Sequence, residues 1–163
     1  MNSDFNKDAL LMSAKRINVS YFKEQQEDAI NAIWQWWQSQ SISFTLSGYA
    51  GTGKTFIMRH LVRYLIVEKV CVTAPTHKAL RVLENSSGKK GMTIQSLCGL
   101  RPDVDIEDYN IENPSFKVIG EQKMRGYRLV IIDECSMINP GLFNLLIKTA
   151  IQCRCKLLFL GEM

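Results

Sequence analysis

Apolar positions along this chain follow two rhythms. Over residues 24–38, Ala29, Ile30, Ile33, Trp34 and Trp37 recur at steps of three and four, which predicts an amphipathic helix with Trp36 off its stripe. Core packing, not base stacking, is the expected role of these tryptophans. Residues 42–46 form a short apolar strand. A Gly-rich segment follows, then a helix over about 54–65 with Ile57, Met58, Leu61, Val62 and Leu65 on one side. Residues 70–74 are a second strand, expected to be buried and closed by Pro75, and a helix is predicted over about 76–84. Residues 86–91 read as a flexible turn, and 93–97 open another short element. Further on, 129–132 is an unbroken apolar strand. Asn139-Pro140-Gly141 turns into a helix bearing Leu142, Leu145, Leu146 and Thr149, and 156–160 is a last strand.

Short apolar strands alternating with helices predict an α/β fold, a mostly parallel sheet covered on both faces. Residues 1–20 lack this patterning and are expected to be a lead-in to a domain over 21–163. Residues 101–128 also break the pattern. They begin acidic (Asp103, Asp105, Glu107, Asp108, Glu112), turn at Asn113-Pro114, and then alternate through Phe116, Lys117 and Val118. That predicts a β-hairpin or small arm inserted in the domain.

A length of 163 residues suits one such domain. The net charge of +4 permits a polyanionic partner without demanding one. No stretch approaches the roughly 18 apolar residues of a membrane span, and the polar, acidic start does not match a signal peptide. Cys71, Cys98, Cys135, Cys153 and Cys155 are odd in number and form no C-x-x-C pair. Buried free thiols in a reducing, intracellular setting are expected, hence a cytoplasmic location.

The chemistry is carried by two segments. Gly48-Tyr49-Ala50-Gly51-Thr52-Gly53-Lys54-Thr55 is a complete G-x-x-x-x-G-K-[ST] pattern between a predicted strand and a predicted helix. Its glycines let the backbone curl so that N–H groups face a phosphate chain, and the helix adds its positive end. Lys54 would reach the β- and γ-phosphates, and the Thr55 hydroxyl would ligate Mg²⁺. About eighty residues later, Asp133-Glu134 ends the 129–132 strand. A parallel strand delivers its last residues to the carboxyl edge, where ligands bind. Asp133 would hold Mg²⁺ and Glu134 would orient or deprotonate the attacking water. A second acid is less needed by a kinase, so hydrolysis of a nucleoside triphosphate is favoured over transfer.

The order of motifs resembles superfamily 1B helicases of the RecD-like, phage Dda-type branch, over about residue 20 to the end. Residues 22–29 (FKEQQEDA) are similar to the family's Q motif, L-T-x-x-Q-x-x-A. The resemblance puts Gln26 on the adenine edge, with Gln25 as an alternative. Residues 48–55 match G-x-A-G-T-G-K-T, so Gly48, Ala50, Gly51, Thr52, Gly53, Lys54 and Thr55 are implied nucleotide contacts. Residues 73–79 (TAPTHKA) resemble motif Ia and 93–96 (TIQS) resemble motif Ib. These imply single-stranded DNA contacts at Pro75, Thr76, Lys78, Thr93 and Ser96. Residues 133–137 (DECSM) resemble motif II, D-E-x-S-M, and Gly161-Glu162 stands where motif III, G-D-x-x-Q, begins.

The chain departs from the family at Lys23 for Thr, Gln95 for His and Glu162 for Asp. The resemblance implies a RecA-like P-loop domain with the 1B hairpin at 101–128. The expected activity is ATP-driven 5′→3′ movement on DNA once a second RecA-like domain is joined. An arginine finger from such a domain is worth roughly 10³–10⁵ in rate.

Apart from the resemblance, Thr76, Lys78, Arg81, Lys89 and Lys90 make a locally basic stretch that suits phosphates or simply a solvated helix face. His77 has no nucleophile partner nearby in sequence. Two other functions fit the phosphate loop: a nucleotide-dependent binding module without unwinding activity, and a small-molecule kinase. The paired acids and the motif Ia match argue against the kinase.

Overall fold

The computed structural model describes residues 24–64, 69–102, 116–118, 120 and 122–162. In chain order the elements are α1 (Glu24–Gln38), β1 (Ser43–Ser47), α2 (Lys54–Tyr64), β2 (Val70–Ala74), α3 (His77–Ser87), β3 (Met92–Thr93), α4 (Ile94–Cys98), β4 (Leu100–Pro102), β5 (Phe116–Val118), β6 (Leu129–Ile132), α5 (Pro140–Cys153) and β7 (Lys156–Gly161). Single 3₁₀ turns span Lys123–Gly126 and Cys135–Met137. Five strands make one sheet in the order β1-β7-β6-β2-β3, every neighbouring pair parallel.

The apolar runs are unbroken because both sheet faces are covered, and successive residues bury on opposite sides. Val70, Val72, Ala74, Leu129, Ile131, Leu158 and Leu160 pack on the first face, with Ile57, Met58 and Leu61 of α2, Leu80 and Leu83 of α3 and the α1 tryptophans. Cys71, Val130, Ile132, Leu157 and Phe159 pack on the second, with Leu97 of α4, Met124, and Leu142, Leu146 and Ala150 of α5. This alternation has a functional consequence. Asp133 follows Ile131 by two residues, so it emerges on the face that α2 and the phosphate loop cover.

The predicted helix over 24–38 is α1, but its stripe is wider than the sequence suggests. Trp36 is as buried as Trp37. Its ring lies 5.7 Å from that of Phe44 on β1, and Lys156 Nζ sits 4.9 Å from its centroid. The same ammonium donates to Trp36 O and Ser39 O at 2.8 Å and to Ser41 O at 2.9 Å. All three lysine donors are thus spent on carbonyls at the end of α1, where a cation also suits the helix dipole. Burial lowers the Lys156 pKa from its ordinary value.

Helix α3 runs three residues past the expected 84. The stop is Gly88, at φ 69 with its N–H on Glu84 O, rather than the serines before it. The short element predicted near 93–97 is the end of β3 followed by α4, with Thr93 as N-cap. The arm begins and ends in the antiparallel pair β4–β5, with Leu100 opposite Val118 and Pro102 opposite Phe116. Residues 103–115, including Tyr109 and the acidic run, lie outside the described residues, as do 1–23. The chain has rejoined the body before 128, because Met124 is fully buried in the second-face core.

Among the described residues all cysteines are free. Cys71, Cys98 and Cys155 are buried, as expected, while Cys135 and Cys153 are partly exposed. No described helix is long and apolar enough to cross a membrane.

Candidate functional site

Strand β1 ends at Ser47, β6 at Ile132 and β7 at Gly161, and these three ends meet at one edge. The loop after β1 is tied to the end of β7, where Gly48 N donates to Gly161 O at 3.3 Å. Gly51 and Gly53 hold φ of 78 and 94, the left-handed region that side chains disfavour. At Gly53 there is a second constraint: a Cβ would run into Gln26 Nε2. Ile57 N donates to Gly53 O, so α2 starts directly from the curled loop.

A cavity of about 300 Å³ opens at this edge, lined by Ala50, Gly51, Gly53, Lys54, Thr55, Asp133, Glu134, Gly161 and Glu162. The loop and the acidic pair, eighty residues apart in sequence, therefore share one pocket. Gly48 and Thr52 do not line it. Gly48 braces the loop, and Thr52 Oγ1 donates to Tyr49 O at 2.9 Å inside the loop. Gln26 is drawn to the loop rather than into the cavity, its Nε2 donating to Thr52 O at 3.1 Å. The Gln25 side chain lies outside what is described.

Without a ligand the pocket's charges rest on the protein's own backbone. Lys54 Nζ donates to Gly48 O and, at 3.0 Å, to Tyr49 O. Asp133 Oδ1 accepts from Glu134 N at 3.0 Å. Burial raises the Asp133 pKa above the ordinary carboxylate value, against the lowering effects of that N–H and of Lys54. Glu134 is exposed and adopts φ 55, one of two non-glycine residues with positive φ among those described. A left-handed residue of this kind costs on the order of 1–2 kcal/mol. The cost sets Glu134 at the N-cap of the Cys135–Met137 turn, on the pocket's rim. Beside the pocket, a Cβ on Gly161 would strike Cys135 Sγ, so a side chain there would force that thiol to move.

The donor set suits a hard cation. Thr55 offers a hydroxyl and Asp133 a carboxylate, and no group of three or more His, Cys, Asp or Glu among the described residues could hold a metal by itself. Mg²⁺ is commonly held by one or two protein oxygens together with phosphates and water.

The expected DNA residues lie further along the same carboxyl edge, past the ends of β2 and β3. Thr76 and Lys78 are exposed, Pro75 and Ser96 partly so, and Thr93, contrary to its expected role as a DNA contact, is buried. The two threonine hydroxyls are engaged as helix caps. Thr76 Oγ1 accepts from Ala79 N at 3.2 Å and Thr93 Oγ1 from Ser96 N at 3.3 Å. Arg81, Lys89 and Lys90 are exposed. Sequence reasoning missed Lys123, whose Nζ lies 3.4 Å from Ser96 Oγ across the arm. No spacing rule marks that lysine. Tyr49 on the loop is 71 % exposed.

The profile of a family described as "AAA domain" matches residues 21–163. The chain belongs to this family. It is 32 % identical over 142 residues to the ATP-dependent DNA helicase dda of Enterobacteria phage T4, covering 85 % of this chain and 31 % of that protein. It is 27 % identical over 100 residues to the ATP-dependent DNA helicase Pif1 of a Psychrobacter species, covering 61 % of this chain and 15 % of that one. The crystal structure of Pif1 helicase from Candida albicans superposes with a TM-score of 0.59 at 25 % identity, over 88 % of this chain and 33 % of that one. The α/β fold is thus RecA-like, and the motif order resembling superfamily 1B is borne out. The chain spans no more than about a third of the length of these relatives.

Proposed function

We propose that this chain is the first motor domain of a 5′→3′ DNA helicase, binding Mg·ATP in the cavity at the ends of β1, β6 and β7 and hydrolysing it. The reading is carried by one observation: Lys54, Thr55, Asp133 and Glu134 converge on a single pocket. The likeness to two ATP-dependent DNA helicases supports the same reading.

The roles follow from where each group now rests. Lys54 exchanges two neutral carbonyls for anionic phosphate oxygens, which adds charge–charge attraction to hydrogen bonds that its ammonium already makes charge-assisted. Thr55 and Asp133 would hold Mg²⁺, which would supply positive charge against the phosphates. Glu134, exposed on the rim, orients the water for attack and accepts its proton. Gln26, already at the loop, turns its amide to the adenine N6/N7 edge, a pairing that suits one donor and one acceptor. Pro75, Thr76, Lys78 and Ser96 face single-stranded DNA beyond β2 and β3. A second RecA-like domain supplies the arginine finger, so turnover by this chain alone is slower by roughly 10³–10⁵.

The test is ATP turnover with and without single-stranded DNA, alongside calorimetry with Mg·ATP. Heat of association and DNA-stimulated turnover are expected. Tight binding with no turnover, even beside a supplied second domain, would leave a nucleotide-dependent binding module instead.

A further inference from the structure

The 3₁₀ turn Lys123–Gly126 presents charge beside a segment whose sequence carries none. Residues 93–96 (TIQS) offer only hydroxyls and an amide. Thr93 Oγ1 is spent on capping α4, which leaves Ser96 as the outward hydroxyl. Lys123 Nζ reaches that hydroxyl at 3.4 Å, over 27 residues of sequence.

The turn is held rather than loose. Met124, between two exposed cations, is fully buried in the second-face core. Tyr127 N closes the turn on Met124 O at 3.0 Å. The returning arm is pinned to the end of α4 by Gly120 N on Gly99 O, also at 3.0 Å. Among the described residues neither Lys123 nor Arg125 makes an ion pair. An anchored, unpaired ammonium beside an exposed hydroxyl is the arrangement that grips a phosphate.

We infer that Lys123 is a nucleic-acid backbone contact that completes the Ser96 site, carrying the track from the end of β3 to the root of the β4–β5 arm. The inference rests on the single-stranded DNA reading above and adds to it the charge that 93–96 lack. A neutral hydroxyl releases no counterion on binding phosphate, whereas a lysine does. One phosphate contact to a single strand contributes about 0.7 to the slope of log affinity against log salt concentration.

The experiment is fluorescence anisotropy of a labelled oligothymidylate over a salt series, starting at low salt, with this chain and its Lys123→Ala, Lys123→Arg and Arg125→Ala variants. Mg·ATP affinity serves as the folding control. Lys123→Ala is expected to weaken binding several-fold, to flatten the slope by about 0.7, and to leave Mg·ATP affinity unchanged. Lys123→Arg is expected to keep the slope. An unchanged slope in Lys123→Ala overturns the inference while the DNA reading stands. An equal loss in Arg125→Ala also overturns it, because the turn would then act only through its general field. No binding by the unaltered chain at the lowest salt overturns the DNA reading and this inference with it.

Discussion

Two stretches of one carboxyl edge carry the two candidate sites, and they are built differently. At the ends of β1, β6 and β7, charged groups from distant segments converge on a concave pocket. Backbone carbonyls and an N–H hold Lys54 and Asp133 until a ligand displaces them. Beyond β2 and β3 the surface is open, and the hydroxyls of Thr76 and Thr93 already serve the fold by capping α3 and α4. The first stretch stores its chemistry in strained or poorly solvated groups: Glu134 at φ 55, Asp133 with a raised pKa. The second stores little, and its residues do double duty. Substitution should therefore separate binding from stability at the first stretch and mix them at the second.

The sharpest break in that contrast is Lys54→Ala. It removes the ammonium that a phosphate would receive, and Mg·ATP binding should fall at least about 100-fold by calorimetry, in line with a charged hydrogen-bond partner lost from a pocket. Lys78→Ala, on the open stretch, should cost less than about tenfold in DNA affinity, because one exposed phosphate contact is easily screened. Equal losses would erase the distinction.

Next comes Glu134→Gln. Turnover should drop by about 10²–10⁴ while Mg·ATP affinity stays within a few-fold, since the amide keeps the shape but cannot accept the proton. Unchanged turnover would remove the base from Glu134.

Gly53→Ala tests the backbone itself. A side chain at φ 94 is strained, and its Cβ meets Gln26 Nε2. A cost of about 1–3 kcal/mol in denaturant stability is expected, together with weaker discrimination of ATP from GTP as Gln26 is displaced.

On the open stretch, Thr76→Ala should cost about 1 kcal/mol of stability through the lost N-cap, whether or not DNA is present. Thr76→Asp keeps a capping oxygen and adds a negative charge. It should hold stability while lowering DNA affinity, so the pair of variants separates the two duties of one hydroxyl. Equal DNA affinity in both variants would make Thr76 a cap and nothing more.

The smallest effect concerns the core beneath both stretches. Burial pushes the Cys155 thiol up to about 12, and the Cys71 and Cys98 thiols up to about 11, from 9.0. Below pH 9 these thiols are protonated in folded and unfolded chains alike. Between about 9 and 12 the unfolded thiols ionise first, so stability should fall as pH rises through that window. Denaturant midpoints measured across it should decline less steeply in Cys155→Ala.

Much of this molecule was legible beforehand because its signals are local. The loop's glycines, the strand ending in Asp133-Glu134 and the helical stripe of α1 each need only neighbours in sequence to be recognised. Trp36 packs in the core as expected of these tryptophans, yet lies off the predicted stripe because a stripe assumes one packing partner. Here β1 and the Lys156 ammonium cover a second side of the helix. The end of α3 was placed too early because the serines of residues 86–87 look like a turn, while the left-handed Gly88 is the true stop.

From its residues alone, this chain determines a parallel sheet, a phosphate-cradling loop and an acidic pair at a strand end, since periodicity and backbone freedom are properties of short segments. Only the tertiary structure decides that Asp133 faces the loop and that Gln26 rests on Thr52 O. It alone decides that Lys54 waits on carbonyls and that Lys123 reaches Ser96. Those pairings depend on which strands lie side by side and on which face each side chain emerges, and strand order is set by packing the whole sheet at once.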